Sequence, residues 1–200
     1  MKFKKRNKNV HIPNSIGIIG SKSGCGVTHI ALMLANFLAS AMRYPVNYVE
    51  VCRKSQIYNL VCDNACQKGD EVCYSYKGVD YFPNATIALA KRLLLDKSSI
   101  TVIDCGVQSQ ELYMLLDKCE RVLLVGSVMP WCIEDLNVLV QNTVSNYVDI
   151  HKTKICVRNC KTVGRSSFLL EHKLALFHVP EGVDPFAIRQ SDFETIERLL

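Results

Sequence analysis

Ile16-Gly17-Ile18-Ile19-Gly20-Ser21-Lys22-Ser23-Gly24-Cys25-Gly26-Val27-Thr28-His29 is the stretch around which this 200-residue chain is organised. An apolar run ends in a loop with Gly20, Gly24 and Gly26, and a long helical pattern opens after it, from Ile30 to Leu38. Strand, glycine loop and helix in that order make a cradle for a polyphosphate. Glycine lets the backbone approach the phosphate, the loop amides turn inward, and the helix N-terminus adds positive potential. Ser23, Gly24, Cys25, Gly26 and Val27 would line such a cradle. Thr28 puts a hydroxyl on the first helical turn, where it can hold Mg²⁺. The plainer alternative is a tight strand-to-helix turn in an ordinary α/β domain.

Against the P-loop pattern G-x-x-x-x-G-K-[ST], Ser21 replaces the first glycine and Val27 replaces the lysine. Lys22 is retained five positions earlier. Lys22-Ser23-Gly24-Cys25-Gly26-Val27-Thr28 resembles the deviant Walker A sequence, K-G-G-x-G-K-[ST], of the MinD/ParA group of P-loop ATPases. The resemblance implies that Lys22 reaches the nucleotide phosphates, in that group often across a dimer interface. The lysine that normally contacts the β/γ-phosphates is gone, and Val27 has no charge to put in its place.

Composition limits the alternatives. Hydrophobic content of 48% and charged content of 22% are ordinary for a globular chain, and 200 residues suffice for one domain with a sizeable core. No apolar run reaches the ~18–20 residues that span a bilayer, and the N-terminus lacks a signal-peptide pattern, so a cytoplasmic chain is expected. The net charge of +5 is concentrated in Lys2, Lys4, Lys5, Arg6 and Lys8. Residues 1–13 thus read as a basic arm and 14–200 as a single domain. Such an arm can touch anionic lipid or nucleic acid, but a solvated tail is the commoner role. Ten cysteines in a cytoplasmic chain are expected to be free thiols. The cluster Cys62, Cys66 and Cys73 lacks paired C-x₂-C zinc spacing.

Along the chain, strands are expected at 15–20, 46–52, 80–83, 99–106, 121–126, 154–159 and 174–180. Helices are expected at 27–43, 85–95 (with Asn84 as N-cap), 108–118, 132–147 and 190–200, while residues 53–75 give no clear assignment. In the helix at 132–147 the apolar positions are Ile133, Leu136, Val138, Leu139 and Val144. Trp131, the only tryptophan, is expected to cap a core. Ile100-Thr101-Val102-Ile103-Asp104-Cys105-Gly106 is an apolar strand ending Asp-x-Gly, the Walker B and switch II pattern. It brings Asp104 beside the phosphate loop, where it can hold Mg²⁺ through water, and Gly106 can offer its amide to a γ-phosphate.

The resemblance extends these assignments. Glu50-Val51-Cys52 falls where MinD/ParA proteins carry an Asp-x-Asp-like switch. Glu50 can still act through water on Mg²⁺, or simply mark a solvated strand end, but Cys52 cannot replace the second carboxylate. Asn159 matches a strand-end Asn that contacts adenine in these relatives, against the alternative of an ordinary turn residue.

Alternating strands and helices imply a three-layer P-loop NTPase fold with a mainly parallel, doubly covered sheet, the ligand lying at the carboxyl ends of its strands. The resemblance implies ATP or ADP with Mg²⁺ as cofactor, and a homodimer. Lys22 to Thr28, Glu50, Pro130-Trp131 and Asp184-Pro185-Phe186 suggest the TadZ/CpaE-like subgroup of pilus assembly. That would mean a protein partner in a membrane or pilus assembly apparatus and no specific nucleic acid. A pseudo-ATPase that positions or assembles a partner is favoured over a slow ATPase whose dimerisation recruits one. A dehydrogenase-like dinucleotide fold is remote, since the loop lacks Gly-x-Gly-x-x-Gly.

Overall fold

The computed structural model describes residues 11–146, 148–157, 175–180 and 184–200. Its nine strands are β1 (Ser15–Gly20), β2 (Val46–Glu50), β3 (Ala65–Lys68), β4 (Glu71–Tyr76), β5 (Val79–Phe82), β6 (Ile100–Val107), β7 (Arg121–Gly126), β8 (Thr153–Val157) and β9 (Leu176–His178). They form one sheet in the order β3-β4-β5-β2-β6-β1-β7-β8-β9. Pairing is parallel from β5 to β9 and antiparallel only in the β3-β4-β5 edge. β1 lies in the middle of the parallel part, so the loop after it opens at the centre of the sheet's carboxyl edge.

The helices are α1 (Val27–Asn36), α2 (Tyr58–Val61), α3 (Ile87–Leu95), α4 (Gln110–Leu116), α5 (Ile133–Ser145) and α6 (Phe193–Glu197). Strand residues alternate between two cores, as a period of two requires. Ile16, Ile18, Val46, Tyr48, Val102, Leu123 and Val125 pack on α1 and the C-terminal Ile196, Leu199 and Leu200. Ile19, Val49, Ile103, Val122, Leu124 and Ile155 pack on the other side, against α3, α4 and α5. This is the mainly parallel, doubly covered α/β sheet expected from the sequence.

Several local expectations are corrected. The first helix is α-helical only to Asn36 and continues as a π-helical segment, Phe37–Ala41. Thr86 rather than Asn84 caps α3, its side chain accepting from Leu89 N at 3.2 Å. Asn84 adopts a left-handed backbone (φ 54) and accepts from Ser55 N instead. The unassigned stretch 53–75 contains α2, β3 and most of β4. On α5 the buried stripe is Leu136, Leu139, Val140 and Thr143, with Val138 and Val144 exposed beside it. Trp131 is 73% exposed in the turn before α5, so it caps no core.

The free-thiol expectation fails at one pair. Cys66 and Cys73 face each other in the β3–β4 register with Cα atoms 5.2 Å apart, within disulfide reach, and they are bonded. Cys25, Cys52, Cys62, Cys105, Cys119, Cys132 and Cys156 are free. The basic residues Lys2 to Lys8, and Asn159, lie outside the described residues. Among the described residues no helix is long and apolar enough to cross a membrane.

Candidate functional site

The loop after β1 turns on two glycines with positive φ, Gly24 at 78° and Gly26 at 105°. L-residues with side chains rarely adopt this region, so the curvature of the loop depends on glycine there. Gly20 contributes by close approach: a Cβ on it would come within 2.5 Å of Cys25 Sγ and 2.6 Å of Val27 Cγ2. The loop thereby folds tightly over the end of β1 and delivers the chain into α1.

The start of α1 has unusual hydrogen-bonding needs. Its N-cap is Gly26, which has no side-chain acceptor, and its first turn contains no acidic residue. The first amides of a helix have no intrahelical acceptors and usually find one in a capping side chain. The start of α1 borders a cavity of about 470 Å³. Lys22, Ser23, Gly24, Cys25, Gly26, Val27 and Thr28 all line it, joined by His29, Leu32, Gln56, Gly106, Val107 and Pro185. A glycine loop, a helix N-terminus without a capping side chain and Thr28 thus border one space of a kind that suits an anion.

The charge supplied to that space is modest. Lys22 is the only Lys or Arg among the described residues of the lining, and its Nζ lies 2.9 Å from Asp135 Oδ2 on the first turn of α5. Hydrogen bonding to Asp135, and then to Cys132, raises the Lys22 pKa, so it remains a cation. Val27 lines the cavity but is only 6% exposed, its side chain packed into the α1 core.

The two acids occupy a different environment. Glu50 and Asp104 face each other in the β2–β6 register, both buried, and neither lines the cavity. Asp104 Oδ2 accepts from the Tyr48 hydroxyl at 2.9 Å, and Oδ1 accepts from Gly106 N at 2.9 Å. The amide expected to face a γ-phosphate is therefore turned back onto the strand-end acid. Burial, with Asp104 and Glu50 nearby, raises the Tyr48 pKa well above its ordinary value and keeps the phenol a donor.

Glu50 is similarly committed. It accepts from the Ser55 hydroxyl and, at 3.0 Å, from Gln56 N. Burial raises its pKa, partly opposed by these donors. Glu50 thus ties down the turn that carries Gln56 to the cavity wall. Cys52 lines a separate groove with Asn84, Ile87 and Leu112, and burial beside Glu50 pushes its thiol up to about 11. It is neither acid nor nucleophile at neutral pH.

Tyr48 and Gln56 join the site without having been expected there from the sequence. Tyr48 sits two residues before Glu50 and so shares its face of β2, a signal present in the strand period. Gln56 lies in the unassigned stretch and had no such signal. Pro185, from the quoted Asp184-Pro185-Phe186, does reach the cavity. Asp184 accepts from Phe186 N at 2.8 Å, and the Phe186 ring lies 5.8 Å from Tyr76.

No protein-family model matches the sequence, and no curated protein does. Solved structures do match. The cell division ATPase MinD of Pyrococcus furiosus superposes with a TM-score of 0.62 at 15% identity, over 92% of this chain and 96% of that one. A plasmid partition protein of Borrelia burgdorferi B31 bound to AMPPNP gives 0.64 at 14% identity, over 94% and 98%. The septum site-determining protein MinD of Pyrococcus horikoshii, complexed with Mg-ADP, gives 0.60 at 17% identity, over 90% and 85%. At such identities the likeness is one of fold. With the sheet order and the loop after β1, it establishes that this chain has the MinD/ParA P-loop ATPase fold.

Proposed function

We propose that this chain binds a Mg·nucleotide, ATP or ADP, at the loop after β1, and serves as a degenerate MinD/ParA-like positioning or assembly module with little or no hydrolysis. The observation that carries binding is the start of α1: a glycine N-cap with no side-chain acceptor and a first turn without an acid, set on a 470 Å³ cavity lined by Lys22 to Thr28. Two of the structural neighbours were solved with AMPPNP or Mg-ADP, which agrees with this reading.

The donor set fits a hard cation in part. Thr28 lines the cavity and would be the protein ligand to Mg²⁺. Asp104 stands behind it with each carboxylate oxygen already holding one hydrogen bond and retaining one further lone pair, enough to order a bound water. The cation would neutralise phosphate charge. Weak hydrolysis follows from what the residues do: Val27 cannot place charge on the phosphates, Cys52 is a thiol in another groove, and Glu50 is tied to the Ser55–Gln56 turn. Contacts of this class carry orders of magnitude in phosphoryl-transfer rate.

The retained Lys22 favours a second reading, a slow ATPase whose nucleotide-bound form pairs face to face across the phosphate loops and recruits a partner, one such partner being a pilus assembly apparatus. Calorimetric titration with Mg·ATP and Mg·ADP tests binding, which Thr28→Ala should weaken. No heat and no thermal shift at millimolar nucleotide would refute it. Turnover abolished by Lys22→Ala would decide for the second reading.

A further inference from the structure

At the opposite edge of the sheet, α3 and α4 end beside an open groove of about 630 Å³. It is lined by Leu94, Leu95 and Met114, with Lys91, Lys97 and Lys118 on its rim. Both helices run back from the carboxyl edge, so the groove lies about one strand length, roughly 20 Å, from the phosphate loop. Leu95 is 81% exposed and Met114 62%. Two large apolar side chains exposed in one concavity are a recognition feature, whereas scattered single ones are ordinary.

The rim is basic and only partly neutralised. Asp117, the one acid in the lining, lies 3.6 Å from Lys152 and 3.8 Å from Lys118. Lys97 meets Glu120 at 3.4 Å, and Lys91 has no carboxylate partner among the described residues. Lysines near helix C-termini also complement the helix dipole, which accounts for their presence but not for the exposure of Leu95 and Met114. We propose that this groove docks an acidic amphipathic helix of a partner protein. The partner's apolar stripe would lie on Leu94, Leu95 and Met114, and its carboxylates would meet Lys91, Lys97 and Lys118. Concavity favours a helix ridge over a flat membrane surface, and the lysines oppose a second basic copy.

The test is fluorescence anisotropy on the full chain without nucleotide, so it stands apart from the phosphate-loop reading. The probe is a labelled helical peptide of about 18 residues with Leu at i, i+3, i+4 and i+7 and Glu elsewhere. Saturable binding is expected, weakened about tenfold or more by Leu95→Gln with Met114→Gln. Lys91→Gln with Lys118→Gln should weaken it several-fold and flatten its salt dependence. These positions are exposed, and an unchanged melting temperature confirms that the variants fold. Absence of saturable binding overturns the proposal, as does equal affinity for a stripe-scrambled or a Lys-for-Glu peptide, or indifference to Leu95 and Met114. Flotation with phosphatidylglycerol vesicles that is lost in the Leu95/Met114 variant overturns it in favour of a membrane. Self-association lost in that variant, measured by sedimentation velocity, overturns it in favour of a second copy.

Discussion

The two halves of the candidate site, a few residues apart in space and on neighbouring strands, have opposite hydrogen-bonding states. The loop after β1 carries no acceptor side chain at the helix start: Gly26 is the N-cap, the first turn of α1 has no acid, and both border a cavity. The strand-end acids are satisfied from within: Asp104 by Tyr48 and Gly106, Glu50 by Ser55 and Gln56. A helix start without a capping side chain or an acid suits an anion, whereas acids already holding the protein's own donors have less capacity left for a ligand. Under the proposed function, the contrast teaches that geometry for holding an anion and geometry for reacting it are separable in one fold. On that reading the loop is the open side and the acids, held by the protein's own donors, the closed one.

The contrast breaks first at the loop. Gly26→Val forces a β-branched residue to φ 105, at a cost of order 1–3 kcal/mol that the loop escapes only by giving up its present curvature. Nucleotide affinity by calorimetry should drop about tenfold to a hundredfold, while a melt of the free protein keeps its cooperativity. Unchanged affinity would mean that the loop amides are not the binding element.

The next effect is on the closed side. Tyr48→Phe leaves Asp104 Oδ2 without its buried donor and should cost about 1–3 kcal/mol in urea unfolding. The same change releases Asp104, so the dependence of nucleotide affinity on Mg²⁺ should rise. A loss of stability with no change in Mg²⁺ dependence would make Tyr48 structural only.

How much of this contrast the sequence disclosed follows the same line. The loop's conformation was legible because glycines at that spacing between a strand and a helix mark a tight turn, and β1, β6 and β7 emerged almost at their expected bounds. The state of the acids was not legible. Asp104 ends an apolar strand in any reading of the chain, and only the three-dimensional register shows that Tyr48 reaches it. The β3–β4 hairpin was lost because its strands are short, polar and at an edge, where no buried period of two is imposed. Cys66 and Cys73 bond because that hairpin sets them opposite each other, a pairing no spacing argument contained.

A smaller effect is in pH. Burial holds the Glu50 proton more tightly in the folded chain than in the unfolded one. Its contribution is therefore fully present below the ordinary value of 4.5 and is lost as pH rises through the raised folded value. Glu50→Gln, which keeps an acceptor for Gln56 N, should gain stability relative to the parent as pH rises through that window. Denaturant melts on both sides of it check the sign. A parallel pH profile for the two proteins would show that Glu50 titrates alike folded and unfolded.

The smallest effect is at the loop's one lysine. Its pair with Asp135 is exposed to solvent, and water screens such pairs so that they add little to stability. Asp135→Asn should leave stability nearly unchanged and free Lys22 for phosphate, tightening nucleotide only a few-fold. Trp131, exposed near that pair and the only tryptophan, reports on pairing across this face. Its emission should shift to the blue with Mg·ATP if two chains close there, and Lys22→Ala should abolish the shift.

The most direct test of the central claim joins the two halves in one sample: Mg·ATP titrated by calorimetry into the purified chain, with phosphate release followed in the same cell contents under single turnover. The account predicts saturable binding, weakened by Thr28→Ala, with phosphate release no faster than in buffer alone. Binding accompanied by turnover that Glu50→Gln or Asp104→Asn abolishes would contradict it, because the acids would then be open to the reaction after all.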